Sequence, residues 1–199
     1  MRDWGRDCVC PSGRDNFCGH RFDGKFGELP AGYDHKYVYS HFGYNLKPTD
    51  LQASIGCAQL AKIEMFSEKR KHNHAYLKES LINSGAGEKL ILPVASADSD
   101  PDWFGFMMTC KEGVSRRTIV DHLESHGIQT RMLFAGNLIK HPCFDEMREC
   151  GAGYRVVGEL TATDTVMERS FWVGVYPGMS DVKLEYIARM IAEAPGIDR

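Results

Sequence analysis

Three cysteines near the N-terminus are the residues whose types and spacing most clearly predict chemistry. They follow the pattern Cys8-x-Cys10-x7-Cys18, in a stretch rich in glycine and turn-forming residues. Thiolates are soft ligands that suit iron–sulfur clusters, zinc or copper(I). A Cys-x-Cys pair lets two sulfurs point at one centre from a tight turn, and Pro11 and Gly13 can shape such a turn. The sequence therefore predicts a thiolate metal site in this segment.

Two other interpretations of the cysteine segment stay open on the residues alone. The three thiols could be free side chains in an irregular arm, although loop thiols without a role are exposed to oxidation. His20 follows two residues after Cys18, so Cys8, Cys10, Cys18 and His20 could instead form a zinc site of three cysteines and one histidine. Such a metal would only fold the arm, and the protein would be a non-enzymatic, zinc-stabilised binding module.

Few other residues suggest a site. No G-x-S-x-G, H-E-x-x-H, P-loop or G-x-G-x-x-G pattern occurs, so we assign no catalytic residue. Arg131 and Asn137, in the segment TRMLFAGN, are the best candidates for holding an anionic or hydroxylated substrate, with a strand-end salt bridge as the alternative. His41 is a further candidate for a substrate contact, although the types and surroundings of His35 and His41 are more typical of surface or packing residues.

The segment that positions the cysteines ends at a helix start. Pro48 cannot extend a helix backward, and Thr49 or Asp50 can cap the first free N–H groups. Apolar residues then recur at three- and four-residue steps, which predicts one helix over residues 49–84 with room for a kink. Residues 1–48 predict an irregular arm, because glycines and turn residues replace any apolar period.

The rest of the chain, residues 85–199, alternates between strand and helix patterns. Strands are predicted at 89–93, 103–110, 128–133 and 171–176. Ser115 and Ser180 are each predicted to cap a helix, and further helical segments are predicted over 138–150, with a break at Pro142, and over 161–169. Strands separated by helices predict an α/β protein, of the α+β kind in this C-terminal part, with a helical layer on one sheet.

Composition limits the class of protein. The chain has 199 residues, of which 43% are hydrophobic and 26% charged, as in ordinary globular domains. A net charge of −3 gives no reason to expect a nucleic-acid partner. No apolar run approaches the roughly 18 residues of a membrane span, and the charged N-terminus lacks a signal-peptide core, so we expect a cytoplasmic protein. Seven cysteines without a secretion signal argue against a disulfide framework.

Two segments carry a resemblance to a known family. Residues 43–60, GYNLKPTDLQASIGCAQL, resemble the DegT/DnrJ/EryC1/StrS sugar aminotransferases, which use pyridoxal phosphate. The segment before it, RDWGRDCVCPSGRDNFCGHRFDGKFGELPAGYDHKYVYSH, resembles the branch of CDP-4-keto-6-deoxy-D-glucose 3-dehydrases, and the likeness continues through WFGF, TRMLFAGNL, YRVVG and FWVGVYPG. The resemblance implies the C-terminal half of a fold-type I pyridoxal-phosphate-dependent transferase. Residues 1–48 would be a remnant of the large domain, 49–84 an interface helix, and 85–199 the small domain.

The resemblance also implies a specific metal centre. Cys8, Cys10 and Cys18 match three of the four cysteine ligands of the [2Fe–2S] cluster of that branch in type and spacing. The fourth family ligand lies upstream of the matched segment. Whether Cys57, His20 or another chain takes its place stays open.

A cofactor and partners follow from the same resemblance. Asn45 matches the asparagine of GYN, which in the family reaches the cofactor phosphate of the neighbouring subunit. Lys47 stands where an arginine is frequent and offers a charge to the same phosphate. The implied cofactor is pyridoxamine or pyridoxal 5′-phosphate, and the implied substrate is a CDP-sugar. The implied partners are a second copy in a homodimer and an electron-transfer reductase.

The activity that the resemblance implies is removal of the C-3 hydroxyl of CDP-4-keto-6-deoxy-D-glucose, in deoxysugar and O-antigen biosynthesis. The family's catalytic histidine precedes a G-E-G-G segment upstream of the cysteines, and no such segment occurs here. We therefore expect this chain alone to lack the base and most of the cofactor pocket, and whether it is an enzyme by itself stays open. The alternatives are a sugar aminotransferase-like protein, the zinc-stabilised module, or a truncated product without activity.

Overall fold

The computed structural model describes residues 3–11 and 13–197. The chain forms two compact units, which divide between Ala61 and Lys62. This division lies inside the segment 49–84, which the sequence predicts as one helix with room for a kink. Two helices occupy that segment: α1, Asp50–Leu60, belongs to the first unit, and α2, Ile63–Asn83, belongs to the second.

The first unit is largely irregular before α1, and its chain folds back on itself. Two isolated antiparallel bridges join its first residues to a later segment, Asp3 with Asn45 and Arg6 with Tyr39. One turn of 3-10 helix, His35–Tyr37, precedes that later segment. The pairing therefore brings the start of the cysteine-bearing arm beside the residues around this turn.

A close backbone approach holds the pairing together. Gly5 is buried with a φ of 84°, and its carbonyl accepts from the N–H groups of Ser40 and His41 at 3.1 and 3.3 Å. A Cβ on Gly5 would lie 1.9 Å from the carbonyl oxygen of His41. Only glycine allows both the positive φ and this approach, so the fold of the arm depends on the residue type here.

Helix α1 begins where the sequence predicts. Thr49 is its N-cap, with Oγ1 accepting from the Gln52 N–H at 3.3 Å and the Gln52 side-chain oxygen accepting from the Thr49 N–H at 2.8 Å. This reciprocal pair is a capping box. The apolar residues of the helix are not covered within the described chain, since Leu51 is 79% and Ile55 65% exposed.

The second unit is an antiparallel sheet covered by helices. The four strands in the described residues are β1 Leu90–Ile91, β2 Gly105–Cys110, β3 Thr130–Arg131 and β4 Ser170–Gly174. They lie in the order β1-β2-β4-β3, and every neighbouring pair is antiparallel. The helices are α2, α3 Arg116–Ser125, α4 Asp145–Cys150, α5 Thr161–Arg169 and α6 Asp181–Ala192, with 3-10 turns at Ala86–Glu88, Leu138–Lys140 and Pro142–Phe144.

Alternation along β2 and β4 defines the core of this unit. Phe106, Met108 and Cys110 are buried in β2, while the residues between them are partly exposed. Phe171 and Val173 are their buried counterparts in β4. Helices α2, α3 and α6 complete the core with Leu77, Leu81, Ile119, Leu123, Leu184 and Ile191. This arrangement confirms the predicted helical layer on one sheet.

The elements differ from the sequence prediction mainly at their ends. The segments 89–93 and 128–133 form the two edge strands and are paired over only two residues each. Ser115 caps α3 as predicted, because its Oγ accepts from the Thr118 N–H at 3.3 Å. Ser180 occupies the N-cap position of α6, but its side chain makes no capping hydrogen bond, contrary to the prediction. In the ranges that the structure describes, no helix has both the length and the hydropathy that a membrane crossing requires.

Candidate functional site

The three predicted cysteine ligands lie around one cavity in the first unit. Cys8, Cys10 and Cys18 all line a space of about 180 Å³, and each is partly exposed. The backbone N–H of Cys18 donates to Sγ of Cys10 at 3.3 Å. The fold of the arm thus brings residues 8–10 and 18 together.

Neighbouring groups shift the pKa values of these thiols in opposite directions. The backbone N–H of Cys18 holds the pKa of the Cys10 thiol below its ordinary value. For Cys8, the backbone N–H of Cys10 lowers the pKa, but burial and the nearby sulfurs of Cys10 and Cys18 outweigh it, so the pKa of Cys8 is raised. Three thiolates in one cavity would repel one another, so deprotonation of all three thiols would need a compensating positive charge, which a bound metal centre would supply.

Ion pairs fix the wall of the cavity. The charged side chains that line it are Arg6, Asp15, Arg21, Lys36 and Lys47. Arg21 binds the carboxylate of Asp34 through Nε at 3.1 Å and Nη2 at 2.9 Å, and this pairing lowers the pKa of Asp34. Lys36 Nζ lies 2.9 Å from Oδ1 of Asp15 and lowers its pKa in the same way. These contacts join residues 15–21 to residues 34–36, so the cavity is formed by segments distant in sequence.

A histidine interpreted from the sequence as a surface or packing residue lies beside the thiols. Nδ1 of His35 is 3.8 Å from Sγ of Cys18, seventeen residues earlier, and Nε2 is 2.7 Å from Oδ2 of Asp7. The ring stacks on Phe26, with centroids 4.9 Å apart and an interplanar angle of 5°. The hydrogen bond from His35, followed by that from the Ser40 hydroxyl, lowers the pKa of Asp7. No local sequence signal indicates this role, because the contacts form only when the arm folds back.

The residues considered as a fourth ligand do not line the cysteine cavity. His20 is exposed and, like the exposed Cys57, lies outside the set of described residues that line the cysteine cavity. Among residues 3–11 and 13–197, no three His, Cys, Asp or Glu side chains converge as the ligands of one metal ion would. A tetrahedral zinc ion needs such convergence, whereas a binuclear cluster divides its ligands between two iron atoms. Three thiols around one cavity can supply three of the four ligands of a binuclear cluster.

The predicted phosphate contacts lie near the end of the paired segment. Asn45 is exposed and is bridged through its backbone to Asp3. Lys47 is half-exposed, lines the cysteine cavity, and has its Nζ 4.0 Å from Oδ2 of Asp3. His41 lines a different surface depression, and its Nδ1 lies 3.0 Å from Oγ of Ser40. The structure therefore joins Lys47, but not His41, to the cysteine cavity.

The two substrate candidates of the second unit have different surroundings. Arg131, on the edge strand β3, is exposed and lines a cavity of about 670 Å³ together with Trp172. One of its guanidinium nitrogens, Nη1, donates to the carbonyl of Thr130 at 2.8 Å. Asn137 is 3% exposed, and its Nδ2 donates to Oδ1 of Asp164 at 2.7 Å. Arg131 can therefore meet a ligand directly, whereas the buried amide of Asn137 anchors the loop that follows β3.

Comparison with known proteins identifies a family and curated relatives that are similar to this chain in sequence. The model of the DegT/DnrJ/EryC1/StrS aminotransferase family matches residues 25–192. Over all of its length the chain is 52% identical to the lipopolysaccharide biosynthesis protein RfbH of Salmonella typhimurium, and it covers 44% of that protein. Over 97% of its length it is 50% identical to the dTDP-4-dehydro-2,6-dideoxy-D-glucose 3-dehydratase of Saccharopolyspora spinosa, of which it covers 40%. The chain thus spans less than half the length of these curated relatives.

Solved structures share the fold. A mutant GDP-4-keto-6-deoxymannose-3-dehydratase (ColD) with bound GDP-perosamine matches 96% of this chain and 46% of its own, with a TM-score of 0.72 and 21% identity. The E. coli GDP-4-keto-6-deoxy-D-mannose-3-dehydratase with bound hydrated PLP matches 79% of this chain and 39% of its own, with a TM-score of 0.67 and 23% identity. These matches confirm the predicted fold class, the C-terminal portion of a fold-type I transferase.

Proposed function

Because the chain belongs to the DegT/DnrJ/EryC1/StrS aminotransferase family, we propose that it is the C-terminal part of a pyridoxal-phosphate-dependent sugar 3-dehydrase. The substrate that we propose is CDP-4-keto-6-deoxy-D-glucose, in deoxysugar and O-antigen biosynthesis. The dehydrase needs pyridoxamine phosphate and a [2Fe–2S] cluster. The observation that carries the proposal is the cavity lined by Cys8, Cys10 and Cys18.

The thiol cavity favours a dehydrase over an aminotransferase. Replacing a C–OH bond by a C–H bond releases water and consumes two electrons and two protons, whereas transamination needs no outside electrons. A site for a one-electron carrier therefore suits the first reaction. The relative from Saccharopolyspora spinosa, at 50% identity, is named as a 3-dehydratase, which supports the same choice.

The residues of this chain would hold the required groups rather than carry out proton transfer. When bound, pyridoxamine phosphate supplies an amine for the C-4 ketone and an electron sink, and the cluster supplies one-electron transfer. Asn45, which is exposed, and Lys47 would bind the cofactor phosphate. Arg131 and His41, both exposed, would contact the substrate. Asn137 would act indirectly, by fixing the loop after β3.

The exposed face of α1 supports an assembly larger than this chain. Leu51, Ile55 and Leu60 are each more than three-fifths exposed, at 79%, 65% and 67%. Apolar side chains grouped on one element commonly mark an interaction surface. We propose that the longer protein is a homodimer and that an electron-transfer reductase serves its cluster.

Anaerobic reconstitution with ferrous iron and sulfide tests the proposed metal centre. Because the fourth family ligand lies upstream of the matched segment, the chain is first joined to the part of the Salmonella typhimurium relative that it does not match. We expect charge-transfer absorption in the visible range for this joined protein. The Cys10→Ser variant should lose it, because one sulfur ligand of the cavity is removed. The Cys143→Ser variant should keep it, since Cys143 is an exposed thiol outside the cavity lining that the structure describes.

The same samples separate the alternative functions. A colourless protein that binds stoichiometric zinc, and that releases the zinc on substitution His20→Ala, would replace this proposal by the zinc-stabilised module. If the protein takes up neither iron nor zinc, the sugar aminotransferase-like hypothesis is favoured over both the dehydrase and the zinc-stabilised module.

A further inference from the structure

His35 is constrained by contacts on three sides within the first unit. Its Nε2 lies 2.7 Å from Oδ2 of Asp7, and its ring stacks on Phe26 at 4.9 Å. Its backbone N–H donates to the carbonyl of Arg21 at 2.8 Å. Asp7 is fixed in turn, because its Oδ1 accepts from the Ser40 hydroxyl at 3.0 Å. These contacts set one orientation for the remaining ring nitrogen, Nδ1.

That nitrogen is directed at a cysteine of the cavity. Nδ1 of His35 lies 3.8 Å from Sγ of Cys18, and His35 lines the same cavity as the three thiols. A carboxylate behind a histidine is a common outer-shell arrangement at metal sites, where it fixes the orientation of the imidazole. Hydrogen bonds to cysteine sulfurs are among the factors that set the reduction potential of iron–sulfur clusters.

We propose that His35, oriented by Asp7 and Phe26, is a positioning residue that hydrogen-bonds the sulfur of Cys18 and thereby tunes the cluster. This inference rests on the proposed function, because it requires Cys18 to ligate iron. An iron-bound cysteine sulfur carries no proton, and the Asp7 carboxylate accepts from Nε2–H. Both ring nitrogens therefore donate, so His35 acts as the imidazolium, with its Nδ1–H bonded to Sγ. Such a bond draws electron density from the sulfur, which favours the reduced cluster, and it holds the ligand in place, which slows the release of iron.

Two substitutions of His35 distinguish the roles of its two ring nitrogens, Nδ1 and Nε2. His35→Asn keeps a donor near the position of Nδ1, and His35→Gln keeps one near the position of Nε2, while both lose the stacking on Phe26. The joined protein, which includes the upstream part of the relative, is reconstituted with ferrous iron and sulfide, and its midpoint potential and its rate of iron loss to a chelator are measured. We expect H35Q to have a more negative potential and to lose iron roughly tenfold faster, the size of effect known for outer-shell partners. H35N should stay close to the parent protein.

Matched controls decide how the result is interpreted. His20→Ala removes an exposed histidine of the same arm and should change neither measurement. If H35Q and the parent protein have equal potentials, the inference is wrong and the proposed function stands. If both His35 variants lose thermal stability alike while their potentials are unchanged, His35 is a packing residue and the inference is also wrong. If the joined protein with its native His35 forms no cluster at all, the proposed function fails and this inference fails with it.

Discussion

His74 shows at the scale of one residue how surroundings decide chemistry. It lies on α2 and is 8% exposed, with its ring 5.5 Å from that of Trp103 and 4.8 Å from that of Phe106. Its Nε2 has no hydrogen-bond partner among the residues that the structure describes. Burial, helped by the charge of Lys78, lowers the pKa of His74 from 6.5 to about 4. The imidazole is therefore neutral in the folded protein at neutral pH.

This burial predicts a pH dependence of stability. Since the pKa of His74 is lower in the folded than in the unfolded chain, the unfolded chain binds a proton first as pH falls. The contribution of neutral His74 to the stability of the folded chain is fully present above pH 6.5 and is lost as pH falls from 6.5 to about 4. We expect the free energy of unfolding in urea to fall by about 1–2 kcal/mol between about pH 7.5 and about pH 5 because of this group.

Two variants isolate that contribution from other titrating groups. His74→Phe fills the aromatic site without a proton to bind, so its loss of stability over the same range should be smaller by this amount. His72→Gln, at a more exposed position of the same helix, should retain the full loss. Equal pH profiles for H74F and the parent protein would contradict the assignment.

Residue-level prediction from sequence succeeds where the signal is local. The three cysteines can be grouped from the sequence because Cys8 and Cys10 are two residues apart and Cys18 is near in the chain. The sequence favours a surface or packing role for His35, because its partner Asp7 is 28 residues away and only the backbone pairing of the arm brings them together. Asn137, chosen for its polarity, is buried against Asp164, and polarity alone does not distinguish an anchor from a ligand contact.

At the scale of elements, two serines at helix starts make a matched pair. The side chain of Ser115 accepts from the Thr118 N–H, whereas that of Ser180 makes no capping hydrogen bond at α6. We expect Ser115→Ala to lower the free energy of unfolding by about 1 kcal/mol, the usual value of an N-cap. Ser180→Ala should change it much less. Equal losses in the two variants, measured by denaturant unfolding, would mean that the capping bond of Ser115 is not the stabilising contact.

Gly5 tests whether the backbone pairing organises the arm. An alanine at this position would have to adopt a positive φ, and its Cβ would lie 1.9 Å from the carbonyl oxygen of His41. Gly13 has a similar φ of 75° with no described atom within 4 Å of a Cβ. Gly13→Ala should therefore cost about 1 kcal/mol from backbone strain alone, while Gly5→Ala should cost more and open the arm. Limited proteolysis within residues 1–48 is the measurement, and equal cleavage rates for the two variants would contradict this role of Gly5.

The order and type of the elements follow from the sequence better than their lengths. Periodicity alone predicts α5 at Thr161–Arg169, because the pattern and its flanking residues are local. The edge strands β1 and β3 are shorter than their apolar runs, since strand length depends on the partner that is available. Likewise, no proline or glycine lies at the break between α1 and α2 from which the break could be predicted.

At the scale of the whole molecule, the fold class is predictable and the surroundings of the exposed faces are not. The sheet-plus-helices unit closes its own core, with Leu77, Phe106 and Leu184 fully buried. Helix α1 has an apolar stripe in the sequence, yet its side chains have no cover in the described chain. The relatives are more than twice as long as this chain, so such cover would come from outside it.

The central claim, that this chain supplies the C-terminal half of a sugar 3-dehydrase, is tested most directly by completing the protein. The part of the Salmonella typhimurium relative that this chain does not match is joined to its N-terminus. The product is then supplied with pyridoxamine phosphate, an electron-transfer reductase and CDP-4-keto-6-deoxy-D-glucose. We predict formation of a 3-deoxy nucleotide sugar, and its loss in the Cys10→Ser variant of the joined protein. An amino sugar as the product, or an equal 3-deoxy yield from the parent and the Cys10→Ser variant, would contradict the account.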